Sequence, residues 1–258
     1  MGIENIIAYL LTDGGISADG RIYVASTSNV IIEDFKKEVT ETFGPQKFSF
    51  NRATSAKIIR FSSPKAREIL LTLSPSYRTR ACGNFPPCPK VKNPNCRVLS
   101  CLNCAPINGF PPTKIPEIIM KGSKEIKRSF LMRVLSADGG PVFTQRNKEN
   151  RIEIRKMIVL SCSNPYLQTQ YVQLLSEFGI KARKNGIQLQ IERKEDIEKF
   201  KSQINFLPGV VVTKGKKWKG IEKRKVLEFM CSPRPKAPPR KGIEGAQSSP
   251  HPGHEKLP

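Results

Sequence analysis

The chain has 258 residues, 38% of them hydrophobic, and 44 Lys and Arg against 22 Asp and Glu give a formal net charge of +22. That is enough apolar sequence for one compound domain or two fused small ones, and the positive excess points to a polyanionic partner, nucleic acid ahead of a membrane surface, because no apolar segment approaches spanning length. Both histidines, His251 and His254, fall in the final residues, which excludes serine and cysteine triads, histidine-metal nucleases and histidine general bases and leaves carboxylates, lysines, arginines or bound metal.

In chain order, the spacing of Ile3, Ile6, Ile7, Leu10 and Leu11 predicts a helix over 3–13, with Gly14 to stop it. Asp19-Gly20 is a hairpin turn leading into the strand RIYVAST. SNVIIEDFKKEVTETFG reads as an amphipathic helix capped near Asn29 and ended by Gly44; QKFSFNRA and AKIIRFSS alternate as strands; SPKAREILLTLS is a further helix. The order then restarts. SKEIKRSFLMRVLSADGG is a helix, PVFTQRNKENRIEIRKMIVLSCS a strand pair turning at NKEN, NPYLQTQYVQLLSEFG a helix, IKARKNGIQLQIER a hairpin turning at Asn185-Gly186, and KEDIEKFKSQI a helix. The two helices after the first strand pairs even end alike, in ETFGPQK and SEFGIKA.

An αββαββ unit is therefore duplicated, which predicts two similar half-sites and suits a nearly twofold ligand such as duplex DNA. The expected organisation is an N-terminal half at 1–80, a linker or insertion at 81–115, a C-terminal half at 116–231 and a disordered tail at 232–258. Cys82, Cys88, Cys96, Cys101 and Cys104 crowd the linker. Four of those thiolates suffice for a structural Zn²⁺, with free thiols or disulfides as the alternatives, while Cys162 and Cys231 are expected to be packed or idle.

Asp13 and Asp138 each close a helix-length apolar run and precede two glycines. The plain alternative is a turn residue at a helix C-terminus, where an acid is electrostatically poor. The segments IIAYLLTDG (Ile6 to Gly14) and LMRVLSADG (Leu131 to Gly139), each at the head of a repeat, resemble the two motifs of a single-chain LAGLIDADG homing endonuclease over residues 3–230. The resemblance implies an α+β fold in which pseudo-twofold αββαββα units form two saddle-shaped antiparallel sheets on a pair of central motif helices. One departure stands out: the third motif position, normally small because the motif helices pack backbone to backbone, is Ala8 in the first copy and Arg133 in the second. Either the second helix is rotated or the seam is looser there.

What the resemblance further implies is a monomer making a Mg²⁺-dependent double-strand break at a long asymmetric DNA site, with short 3′ overhangs. Asp13 and Asp138, joined by the carbonyls of Thr12 and Ala137, would hold Mg²⁺, and Lys217 or Lys219 in the second half and Arg80 in the first would stand near the scissile phosphate. Strand alternation selects Arg21, Tyr23, Lys47, Ser49 and Asn51 in the first half, and Arg151, Glu153, Arg155, Arg183, Gln188 and Gln190 in the second, as a face for the major groove, an ordinary wet sheet face being the alternative. The expected setting is cytoplasmic, in a prokaryote such as an archaeon, or organellar, and the gene intron-encoded. The rival from another class is a non-cleaving binder, either an intron-RNA maturase or a DNA-binding regulator.

Overall fold

A computed structural model describes residues 2–17, 19–53, 56–74, 76–77, 113–148, 151–213 and 217–232. Arg80, the five linker cysteines, the runs Lys214–Lys216 and Glu149–Asn150, and the tail from Pro233 lie outside them. The fold is mixed helix and antiparallel sheet, and the predicted duplication is present. The first half runs α1 (Ile3–Leu10), β1 (Gly14–Ile16), β2 (Ile22–Ser26), α2 (Asn29–Phe43), β3 (Ser49–Ala53), β4 (Ala56–Phe61) and α3 (Pro64–Leu73). After the short α4 (Glu117–Met120) come α5 (Lys124–Asp138), β5 (Gly139–Lys148), β6 (Arg151–Ser161), α6 (Pro165–Ser176), β7 (Arg183–Asn185), β8 (Gln188–Ile191), α7 (Lys194–Gln203) and α8 (Lys223–Cys231). The two four-stranded sheets have the same order, β1-β2-β4-β3 and β5-β6-β8-β7.

Helices α1 and α5 pack on each other in the centre. In α1 everything from Glu4 to Leu10 is buried, so this helix is an internal post covered on all sides rather than an amphipathic surface helix. Pro64 and Pro165 start α3 and α6 behind capping side chains: Ser63 Oγ accepts from Ala66 N, and Asn164 Oδ1 accepts from Tyr166 N and Leu167 N. The matching ends of α2 and α6 turn through Gly44 (φ 79°) and Gly179 (φ 66°), the left-handed backbone that L side chains resist. Two helices were not anticipated. Of these, α8 hides in a lysine-rich run but carries its apolar signal in Val226, Leu227 and Met230, all buried.

The halves differ in proportion. The β5–β6 ribbon pairs from Gly139↔Leu160 to Lys148↔Arg151, whereas β1 pairs with β2 only from Gly14↔Val24 to Ile16↔Ile22. Among the described residues no helix is long and apolar enough to cross a membrane.

Candidate active site

Both Asp-Gly-Gly sequences mark the place where a central helix gives way to the first strand of its sheet, directly in the second copy and through the turn 11–13 in the first. A Cβ on Gly14 would lie 2.7 Å from Tyr23 O and 2.8 Å from Tyr9 O, and one on Gly139 would lie 2.7 Å from Leu135 O and 2.9 Å from Val159 O. Neither glycine has positive φ. What they supply is room for the strand to pass flush against the last helical turn, which fixes the position of the aspartate immediately before them. The two handovers differ slightly: α5 runs through Asp138, while α1 ends at Leu10 and Asp13 sits in the following turn, its carbonyl accepting from Ala25 N at 3.0 Å.

Asp13 and Asp138, far apart in sequence, line one open cleft of about 550 Å³, together with Thr12, Tyr23, Cys162 and Tyr171 among others. Asp13 is exposed, and Asp138, Thr12 and Ala137 are half-buried. Thr12 Oγ1 shares its proton between Ala8 O (3.0 Å) and Tyr9 O (3.1 Å), which ties the side chain to the helix end.

The cation beside the carboxylates is Lys223, at the start of α8, which sequence reasoning missed. Its side chain is buried, and Nζ donates to Ser136 O (2.6 Å) and Gly139 O (2.6 Å) on either side of Ala137–Asp138. Burial pulls its pKa down to about 8, against the opposing pull of Asp138 and then Asp13. A lysine here meets the negative end of the α5 dipole and offsets the crowding of the two acids. Only its place at the start of the apolar-patterned stretch KRKVLEFMC, just after the KGKKWKG run, could have suggested it. Lys217 stands elsewhere, its ammonium 5.4 Å from the ring centres of both Phe143 and Trp218, in an aromatic group completed by Phe229. Lys219 is exposed in the same loop, and neither lysine lines the cleft. Cys162, expected to be packed or idle, does line it; its thiol is pushed up to about 11 chiefly by burial.

The cleft brings two carboxylates and their adjacent backbone together with the Cys162 thiol. The carboxylate and carbonyl oxygens suit a hard divalent cation that keeps part of its water shell. Among the described residues no group of three or more His, Cys, Asp or Glu side chains converges, so any cation would be completed by water or by an anionic ligand.

Register places the candidate contact residues on one face of each sheet. In the first, Tyr23 pairs with Arg60, which pairs with Ser49, and Ala25, Ile58 and Asn51 form the next row; Arg21, Lys47, Ser49 and Asn51 are exposed and Tyr23 half-buried. Arg60 was not anticipated, although its parity with Tyr23 follows from the hairpin. In the second, Val159, Gln190 and Arg183 form one row and Ser161, Gln188 and Asn185 the next, with Arg155, Glu153 and Arg151 further along β6. Arg155 and Arg183 are exposed. Gln190, by contrast, is buried, and its Oε1 accepts from Asn185 Nδ2 at 3.2 Å while its Nε2 donates to Gln188 Oε1 at 3.3 Å. It orients its neighbours.

The small-residue departure at Arg133 also resolves. Its guanidinium leaves the helix seam and crosses to α2 of the other half, where Nε donates to Asp34 Oδ2 (2.8 Å), Nη2 to Asp34 Oδ1 (3.2 Å) and Nη2 to Glu38 Oε1 (2.6 Å). The seam is not loosened there; Ala8, Leu131 and Val134 remain fully buried.

No protein-family model matches the chain, and no curated protein does. Solved structures similar to it include the homing endonuclease I-DmoI in complex with DNA and Ca, at 14% identity over 81% of this chain and 96% of that chain with a TM-score of 0.44. Others are the meganuclease I-SmaMI bound to uncleavable DNA, at 11% identity over 79% and 84% with a TM-score of 0.44, and full-length DUF199/WhiA from Thermatoga maritima, at 10% identity over 81% and 56% with a TM-score of 0.47.

Proposed function

We propose that the protein is a Mg²⁺-dependent DNA endonuclease of the LAGLIDADG homing kind, acting as a monomer on a long asymmetric duplex site. The observation that carries this reading is that Asp13 and Asp138, at equivalent places in a duplicated unit, line a single open cleft with a buried lysine at the end of one motif helix. Two acids gathered in one cleft on a chain of net charge +22 would repel a polyanion unless a cation stands between them, so their placement favours phosphodiester chemistry over simple binding.

In this reading the carboxylates of Asp13 and Asp138 hold the cation, with the Thr12 and Ala137 carbonyls beside them. A divalent cation bound there supplies a more acidic water and offsets charge on the phosphate. Lys223 holds the α5 end in place and lowers the mutual repulsion of the acids. The sheet faces hold the duplex: Arg21, Tyr23, Arg60 and Asn51 from one half, Arg155, Arg183 and Gln188 from the other, with guanidiniums suited to guanine edges and phosphate and amides to adenine. Hydrolysis joins a water oxygen to phosphorus as one P–O ester bond breaks, once per strand.

Arg133, the departure from a small residue in the second motif, is accounted for by its pairing with Asp34 and Glu38 and so does not by itself speak against cleavage. The test is to incubate purified protein with a plasmid library of random duplex inserts and with the intronless host locus, with and without Mg²⁺. The expected result is Mg²⁺-dependent linearisation at one sequence, lost in Asp13→Asn and in Asp138→Asn. Tight binding to intron RNA with no cut on any duplex would sink the nuclease reading.

A further inference from the structure

Less than two helical turns before the aspartates, where the α1–α5 pair meets α2, lies a second charged group that the proposed chemistry does not use. Arg133 is 6% exposed and Glu38 also 6%. The network closes around them. Tyr9 Oη donates to Asp34 Oδ2 (2.6 Å), Asn5 Nδ2 donates to Glu38 Oε2 (2.9 Å), Ser129 Oγ donates to Asn5 Oδ1 (2.8 Å), and Arg133 Nη1 donates to Ser129 Oγ (2.8 Å). One guanidinium from the second half thus faces two carboxylates from the first, a buried Glu38 and a half-buried Asp34, each with a further donor.

The duplication shows that neither component occurs twice. Ala8 and Arg133 hold the same place relative to Asp13 and Asp138. Helices α2 and α6 superpose by their caps, Ser28 and Asn164, and by the phase of their buried residues, Ile31 with Leu167, Phe35 with Tyr171 and Val39 with Leu175. That phase puts Gln170 at the place of Asp34 and Leu174 at the place of Glu38. Gln170 is already engaged, accepting from Ile115 N at 2.8 Å, and Leu174 is fully buried. A pair of first halves would therefore set Ala8 beside buried, uncompensated acids, and a pair of second halves would set Arg133 against an amide and a leucine. Each costs several kcal/mol of unpaired buried charge, whereas the unlike pair satisfies every group.

We propose that Arg133 with Asp34 and Glu38 is a recognition surface that makes the opposite half the only fitting partner for each half, so that the chain closes on itself and does not associate through like halves. The apolar seam alone would not discriminate, since both motif helices bury aliphatic side chains, Ile6, Ile7, Ala8 and Leu10 in one and Leu131, Val134 and Leu135 in the other. The charge pair does.

The test uses the full-length chain and no DNA. Arg133→Met strands both acids and is expected to lower the thermal midpoint by about 10 °C. The combination Arg133→Met, Asp34→Asn and Glu38→Gln removes all three charges yet leaves amide oxygens for Tyr9 and Asn5; it is expected to recover most of that loss. After refolding from denaturant, native mass spectrometry should find wild type monomeric and the neutral combination several-fold richer in dimers and larger species at the same concentration. The linker is the same in both, so exchange of halves through it is controlled. A neutral combination that refolds with the wild-type distribution overturns the proposal, and so does one no more stable than Arg133→Met, because the three groups would then not form a self-contained set.

Discussion

Two clusters of one cation and two acids sit along the α1–α5 pair, one against α2 and one where the motif helices meet their first strands, and they are built in opposite ways. In the Arg133 cluster the cation binds the acids directly, through three N–H···O contacts of 2.6–3.2 Å, and neighbouring side chains take up the remaining oxygens. In the Asp13–Asp138 cluster the cation spends its hydrogen bonds on two backbone carbonyls and the carboxylates line an open cleft. A charge group meant to hold a fold together is closed and neutralised from within. On the proposed reading the second group keeps its acids in a cleft and the lysine steadies the scaffold instead, because carboxylates already neutralised by a guanidinium would have little affinity left for a metal ion.

The sharpest way to break this contrast is in the open cluster. Asp13→Asn or Asp138→Asn should reduce Mg²⁺-dependent cleavage by about a thousand-fold or more in single-turnover assays, while the thermal midpoint stays near or above that of wild type. A clear loss of stability would mean that these acids are structural after all. In the closed cluster the pattern reverses. Arg133→Met should cost about 3–5 kcal/mol of stability in denaturant titration, and any fall in cleavage should track the folded fraction.

Lys223 sharpens the comparison through pH. Its pKa is lowered to about 8 in the folded protein from 10.5, so the folded state binds fewer protons than the unfolded state between those values and stability must rise with pH across that window. In metal-free buffer wild type should gain on the order of 3 kcal/mol relative to Lys223→Met between pH 8 and pH 10.5. Equal slopes for the two proteins would refute a buried lysine at this place. The handover glycines come next: Gly139→Ala forces a methyl to 2.7 Å from Leu135 O and should destabilise by about 1–3 kcal/mol, with cleavage falling further because Asp138 is displaced. Smallest is Arg60→Ala on the exposed sheet face. It should leave stability unchanged and cost about 1–3 kcal/mol in duplex binding, measured by fluorescence anisotropy at fixed salt.

Much of this was legible beforehand for definite reasons. The duplicated order, the hairpins at Gly20 and Gly186 with φ of 82° and 57°, and the matched stops at Gly44 and Gly179 are written in local spacing and turn chemistry. The pairing of Asp13 with Asp138 was visible because the same short pattern occurs twice. Lys223 was obscured by a composition in which lysine is abundant, and Gln190 looked like a reader of DNA because alternation reports which face a side chain takes and not whether its neighbours have already claimed its amide. Arg133 was visible as an anomaly, yet its partners were not, since Asp34 and Glu38 looked like the ordinary wet side of an amphipathic helix.

The sequence by itself determined the elements, their repetition and the identity of the two acids, because hydrophobic period, glycine placement and capping act over a few residues. Only the tertiary structure decided which charges meet. Ion pairing across a core depends on how helices distant in the chain are brought into register, and that brought Arg133 to Asp34 and Glu38, and Lys223 to the end of α5, leaving the acids of one cluster held by a guanidinium and those of the other lining a cleft.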